Sequence, residues 1–240
     1  MRFSIRRGVN LQDFEESLAD LDGIPIELAL PHKLDQFLPD MDHLDDLAAY
    51  VQGTGVLVGS VHAPQGRLAD ESFMQWALPT IRFAEKAGAP VAVFHPESVP
   101  KLLKPSAQAI ALRNVKRLQR EVSVTVAIET FGNAKRVLTP EEVIERGLPL
   151  ILDTSHLLVR RIFQVIETYH SGIVGVHLSE MRHDDAAGHD LPHMPVASYG
   201  IEVLQALRAR GWDGNVTLEY LPQYHDRLIP DRQALEELFG

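Results

Sequence analysis

The sequence predicts an α/β fold, a single (β/α)8 TIM barrel with a parallel eight-stranded barrel and outer helices. Three observations lead there. Short apolar runs alternate with stretches of helical periodicity along the whole chain, a pattern that implies βαβ units and a parallel sheet. Eight such units fit in 240 residues, the usual size of a closed barrel. No Pro/Gly/Ser linker, low-complexity tract or long charge run divides the chain, so residues 1–240 read as one domain. An open doubly wound sheet would be favoured by a Gly-rich phosphate loop after the first strand, and the sequence has none there.

The elements follow in order. Arg2–Ile5 is a short first strand that alternates with charge. Asn10 then caps a helical pattern through Leu21, with Leu11, Phe14 and Leu18 on one face. Gly23–Leu30 is the second strand, with Pro25 near its beginning, where proline is tolerated. A loop rich in Pro and Asp precedes a helix over Met41–Gln52. Val56–Val61 is the third strand and runs into His62. A helix over Glu71–Lys86 stops at Gly88.

Pro90–Phe94 is the fourth strand, ending at His95, and a basic amphipathic helix covers Ser106–Arg120. Val122–Ile128 is the fifth strand, ending in Glu129. Thr139-Pro140 begins a helix with proline at its first position. The sixth strand lies in Leu148–His156, where an apolar run meets Asp153; a helix to Tyr169 follows. Gly172–Val176, ending in His177, is the seventh strand. Ser179–Ser198 reads as a long polar loop before a helix over Tyr199–Arg210. Asn215–Leu218, ending in Glu219, is the eighth strand, and Asp231–Leu238 is the last helix.

With 23 basic and 33 acidic residues the net charge is −10, which argues against nucleic acid as the main partner. The absence of cysteine leaves any metal site to His and carboxylates. The first residues lack the apolar core of a signal peptide, and no apolar run is long enough to span a membrane, so a cytoplasmic protein is expected.

Six strands end in a potential ligand: His62, His95, Glu129, Asp153, His177 and Glu219. In a barrel the carboxyl ends of all strands surround one mouth. Side chains alternate along a strand with a period of two. If these six point inward, so do Ser60, Val93, Ala127, Ile151, Gly175 and Thr217, which are small or β-branched for the most part. Three histidines and three carboxylates suit zinc, manganese, cobalt or iron. Taken singly, each position has a plainer explanation: Asp153, Thr154 or Ser155 could each cap the following helix. The recurrence at six strand ends favours a site.

The segments Val61-His-Ala-Pro64, Phe94-His-Pro96, Ile128-Glu129, Leu152-Asp-Thr-Ser-His156, Val176-His-Leu178 and Leu218-Glu219 together resemble the xylose isomerase-like barrel superfamily, which includes sugar isomerases and epimerases and endonuclease IV. The resemblance spans nearly the whole chain. It implies that Glu129, Asp153, His177 and Glu219 bind one divalent metal, and that Glu129 and Glu219 also move a substrate proton through a metal-stabilised enediolate. It further implies that His62, His95 and His156 hold additional metal, as in endonuclease IV, with His193 resembling part of a third-metal segment. That segment would carry an aspartate where Leu191 stands, and Ser179-Glu-Met-Arg182 differs from the endonucleases' Asn-Asp-Ser-Lys run. One tight metal, with at most a weaker second at His62 and His95, is therefore expected.

The implied activity is that of a metal-dependent sugar or sugar-phosphate isomerase or epimerase acting on a small-molecule substrate. An endonuclease IV-like zinc phosphodiesterase is the alternative, and a non-catalytic sugar- or metal-binding barrel is the third. Glu27, inside the second strand, and Glu97, Asn133 and Arg182, just past strand ends, are candidate substrate contacts. Glu27 is equally explained as a buried hydrogen-bonded glutamate or an outward one, and for each of the last three a solvated loop residue is the preferred reading. His32, His43, His170 and His225 read as surface residues, and Arg113, Lys116, Arg117 and Arg120 as a solvated helix face.

Overall fold

In a computed structural model, described over residues 1–19, 21, 23–131, 136–184 and 189–240, the parallel strands of the chain close into one barrel. They are β1 (Arg2–Gly8), β2 (Ile26–Ala29), β3 (Val58–His62), β4 (Val91–Phe94), β5 (Thr125–Glu129), β6 (Leu150–Asp153), β7 (Ile173–Leu178) and, past a hairpin of β8 (Glu180–Asp184) and β9 (His189–Met194), β10 (Asn215–Leu218). The order around the barrel is β1-β10-β7-β6-β5-β4-β3-β2. Two compact units make up the chain. One is built mainly from Met1–Arg6 and Pro140–Gly240, with Thr130 and Phe131. The other is built from Arg7–Glu129, with 136–139.

In the Arg7–Glu129 unit, β2 to β5 pair side by side. Register places His62 beside Ala29 and Val93, Val93 beside Ala127, and Glu27 beside Ser60. These strands are covered by the helix Phe73–Lys86, whose aromatic residues fill the space above β4. Phe73 and Trp76 meet edge to face at 5.2 Å, and both lie against Phe94. Gly88, at φ 74°, provides the left-handed turn that ends this helix. Gly66 sits flat on the Trp76 indole: a Cβ there would fall 2.3 Å from Cζ2. Gly66→Ala is therefore expected to destabilise the protein by about 1–3 kcal/mol through overpacking, read as a lower urea midpoint with unchanged slope.

In the unit built from Met1–Arg6 and Pro140–Gly240, β1, β10, β7 and β6 run side by side. Asp153 pairs with His177, His177 with Thr217, and Ile151 with Gly175. A Cβ on Gly175 would lie 2.9 Å from Ile151 Cδ1, so the glycine makes room for the isoleucine at that level. Ser4 and Thr217 share a hydrogen bond of 3.0 Å.

Three expectations are corrected. The helix expected over Asn10–Leu21 forms only over Phe14–Leu18. The Asn10 side chain accepts from the Gln12 N–H at 3.1 Å, a local turn that competes with helix at these positions. The polar loop Ser179–Ser198 contains the antiparallel β8–β9 hairpin. The hairpin escapes a reading by periodicity because it has no apolar face to mark it. The last helix begins at Leu228, after a 3-10 turn over Pro222–Arg227. Among the described residues no helix is long and apolar enough to cross a membrane.

Candidate metal centre

The strand ends of the Arg7–Glu129 unit bring three of the predicted ligands together. His62 and Glu129 are buried, 1% and 2% exposed. Glu129 Oε2 lies 3.4 Å from His62 Nε2 and is also paired with His95 Nε2. The two imidazoles meet edge to face at 4.6 Å. His62 Nδ1 lies 3.1 Å from the Ala63 carbonyl, which can only accept, so Nδ1 carries the proton. In the neutral ring, Nε2 then presents a lone pair to a carboxylate oxygen, and only a proton or a cation between them makes that approach favourable. Glu27 is fully buried beside this group. Its Oε2 accepts from Ser60 Oγ at 2.8 Å, and it has a ligand atom within 4.8 Å of one on His62.

The other unit holds Asp153, His177 and Glu219, each with one ligand atom within 4.8 Å of the others. His177 Nδ1 and Glu219 Oε2 are 3.3 Å apart. Around a tetrahedral ion with ligands at about 2.0–2.2 Å, neighbouring donor atoms lie about 3.4 Å apart, so this spacing and the N/O donor set fit a divalent ion. The strand sequence dictates the placement: after the apolar residues of β6 and β7, Asp153 and His177 fall at paired positions.

Asp153 is anchored by its own turn. Its Oδ1 accepts from the Ser155 N–H at 2.7 Å, the Ser155 hydroxyl at 2.9 Å and the His156 N–H at 3.2 Å. Oδ2 is 3.8 Å from His156 Nε2. The helix begins only at Val159, so Asp153 caps the turn after the strand and not the helix.

Glu219 also pairs with Arg6 on β1. Burial pushes the Glu219 carboxyl up, but the Arg6 guanidinium, the hydrogen bond to His177 and the charges of His193 and His177 outweigh it. Together they hold the group well below the ordinary carboxylate range.

A further group in the same unit is Asp153, His156 and His193. His156 stacks on Phe131 at 4.3 Å and meets His193 edge on at 5.0 Å. His193 adopts a left-handed φ of 57°, and its Nδ1 lies 3.2 Å from Ser155 Oγ. Leu191 lies in the hairpin opposite Arg182; the carboxylate of this group is Asp153 itself.

The xylose isomerase-like TIM barrel family matches residues 18–238. The chain belongs to this family. Among solved structures, a D-tagatose 3-epimerase-like protein superposes with a TM-score of 0.71 at 18% identity, covering 99% of this chain and 96% of its own. A 3-keto-D-glucoside 4-epimerase from E. coli superposes at 0.69 with 12% identity, covering 99% and 98%. Endonuclease IV from Thermus thermophilus superposes at 0.64 with 15% identity, covering 99% and 100%. At these identities the likeness shows the fold. No curated protein sequence matches the chain.

In this xylose isomerase-like barrel the other candidate residues have local partners. Glu97 accepts from the backbone N–H groups of Leu68 and Ala69 at 2.9 and 2.8 Å, ordering the loop after β3. Arg182 reaches Glu180 and the Pro195 carbonyl. Buried Glu180 in turn accepts from the Ala197 and Gly200 N–H groups at 2.9 and 3.0 Å, so the pair fixes the base of the hairpin. Asn133 lies outside the described residues. His32 is exposed, as expected, although its ring lies 6.2 Å from that of His95.

Sequence reasoning missed two contributors. Arg6 was hidden in a charged-looking strand, yet it shares the parity of Ser4, which meets Thr217. Arg136 is half-buried. Desolvation lowers its pKa, opposed by the charges of Glu129 and Glu97. Nothing in its local sequence marks it.

Proposed function

We propose that this chain is a divalent-metal-dependent isomerase or epimerase of a sugar or sugar phosphate. Glu129, Asp153, His177 and Glu219 end four strands that follow one another in the barrel order, and these four would hold one metal. His62 and His95, beside Glu129, would add a weaker second ion. The observation that carries the proposal is that both glutamates stand at strand ends with histidine neighbours, Glu129 with His62 and His95 and Glu219 with His177. The likeness in fold to two epimerases supports it, as does the charge of −10.

When bound, the metal supplies Lewis acidity that polarises substrate carbonyl and hydroxyl oxygens. Glu129 and Glu219 remove a proton at carbon and return it. Arg6 keeps Glu219 ionised and oriented. The turn formed by Ser155 and His156 fixes one oxygen of Asp153 and leaves the other for the ion. Substrate contacts are proposed for Glu27, whose buried carboxylate lies next to His62. Glu97 and Arg182 are proposed to shape the loops around the substrate, with Asn133 a further contact.

A second proposal, an endonuclease IV-like zinc phosphodiesterase, draws on two groups, His62 with His95 and Glu129, and Asp153 with His156 and His193. These give more metal-binding capacity than proton transfer needs. Incubation with an abasic-site duplex at low salt separates the two. No incision is expected, and specific strand incision would reverse the ranking. Sugar binding without conversion would instead point to a non-catalytic barrel.

A further inference from the structure

Within the Arg7–Glu129 unit a cavity of about 500 Å³ opens beside the loops that follow β3 and β4, and His95 forms part of its wall. The volume is that of a small-molecule site. Hydrogen bonds tie the wall together. Glu97 takes the N–H groups of Leu68 and Ala69 on its carboxylate and that of Val137, at 2.8 Å, on its carbonyl. Asn114 donates to the carbonyls of Leu68 and Asp70 at 2.8 and 2.9 Å. A site held this way needs little further ordering when a ligand enters.

The charges on the wall balance. The guanidinium groups of Arg67 and Arg136 are matched by the carboxylates of Asp70 and Glu97. Hydrogen bonds from Ser72 hold the Asp70 carboxyl below its ordinary value, and the Arg67 charge adds to this against the opposing effect of burial. Asp70 is therefore ionised at neutral pH. A phosphate dianion entering here would give up water beside two carboxylates, which like-charge repulsion disfavours. The net charge of −10 acts in the same direction.

The hydrogen-bonding capacity left on the wall is of both kinds. Among the described residues the Nε1–H of Trp76, a residue 2% exposed, is buried without an acceptor. Asp70 uses Oδ1 for the N–H and hydroxyl of Ser72, each at 2.9 Å, and its Oδ2 accepts no hydrogen bond among the described residues. The Gln65 amide and the Ser98 hydroxyl, each both donor and acceptor, also line the cavity. An oxyanion would serve the indole and not Asp70, and an ammonium the reverse. Hydroxyl groups serve both.

We propose that this cavity is a subsite for the uncharged, hydroxyl-bearing part of a sugar, recognised by the Trp76 Nε1–H and the Asp70 carboxylate. The substrate is then a free sugar and not its phosphate. That step rests on the isomerase or epimerase proposal; the binding of a neutral polyol does not.

Calorimetric titration of the purified, metal-supplied protein with fructose, glucose and galactose, and with the 6-phosphate of each, tests it. At least one free sugar is expected to bind about tenfold or more tighter than its phosphate. Asp70→Asn is expected to weaken that sugar about tenfold, because a hydroxyl loses its ionised acceptor. The amide oxygen can still accept from Ser72, so this variant keeps the turn and the fold even if the buried Trp76→Phe does not. Trp76→Phe removes the indole donor and is expected to weaken the sugar about fivefold. A phosphate that binds as tightly as its free sugar would overturn the proposal. So would the absence of binding by all three free sugars, or free-sugar binding that Asp70→Asn leaves intact. Free-sugar binding that Asp70→Asn weakens, without turnover of any sugar, would keep the subsite and remove the isomerase proposal. Turnover of sugar phosphates alone would do the opposite.

Discussion

Glu129→Gln and Glu219→Gln are each expected to reduce turnover by about 10²–10⁴-fold, the usual contribution of a positioned proton-transfer group. The substitution keeps the shape of the side chain and removes its charge, and with the charge go its capacity to take a proton and its strength as a metal ligand. Glu129 loses its charge between two imidazoles, and Glu219 loses its pairing with Arg6 and His177. The two variants should differ in stability. Glu219→Gln takes the ionised Glu219 away from the Arg6 guanidinium, 18% exposed in its side chain, and removing one member of a largely buried pair is more disruptive than never having had it. Far-ultraviolet circular dichroism should show both variants folded, with the lower melting temperature in Glu219→Gln. Wild-type-like turnover in either variant would remove the proposed mechanism.

The second large effect concerns metal. Asp153→Ala is expected to lose the tight ion, whereas His62→Ala should retain it and lose at most a weaker second. Asp153 has two jobs, since Oδ1 holds the Ser155–His156 turn and Oδ2 faces the site. Asp153→Asn separates them, because an amide oxygen can still accept the backbone N–H groups while the ligand charge is gone. Elemental analysis of the purified wild type and the three variants reads the outcome. About one tight ion per chain is expected in the wild type and in His62→Ala, and a loss of about tenfold or more in affinity for both Asp153 variants. Three tightly held ions in the wild type, or loss of the first ion in His62→Ala, would show the ligand assignment to be wrong.

Much of the barrel was legible because its strands are buried on both faces. Runs such as Val91–Phe94 and Leu150–Leu152 are apolar throughout, and each stops where a polar residue meets the mouth. That same switch exposed His62, Glu129, Asp153 and His177 as strand-end candidates; the register sets His62 beside Val93 and Asp153 beside His177.

What escaped has a physical reason in each case. The β8–β9 hairpin is held by Glu180 and by side-chain bonds to backbone, not by an apolar face, so it left no periodic trace. Arg6 acts through a partner more than two hundred residues away, and no local pattern encodes such a pair. The donors around the cavity come from four separate segments, and only folding brings Arg67 and Arg136 to one wall. The carboxylate grouped with His156 and His193 is Asp153, a residue that the resemblance assigns to the other metal, so local sequence around His193 does not reveal it.

Hydrogen exchange at carbon tests the central proposal most directly. The purified protein, supplied in turn with zinc, manganese, cobalt and iron(II), is incubated in deuterium oxide with a panel of ketoses, aldoses and their phosphates, and followed by proton nuclear magnetic resonance. Deuterium should enter a carbon-bound position next to the carbonyl or reacting hydroxyl of at least one sugar, only with metal present, together with conversion to its isomer or epimer. Conversion with no carbon-bound deuterium under any metal, or no exchange in any sugar alongside incision of abasic-site DNA, would contradict proton transfer by Glu129 and Glu219.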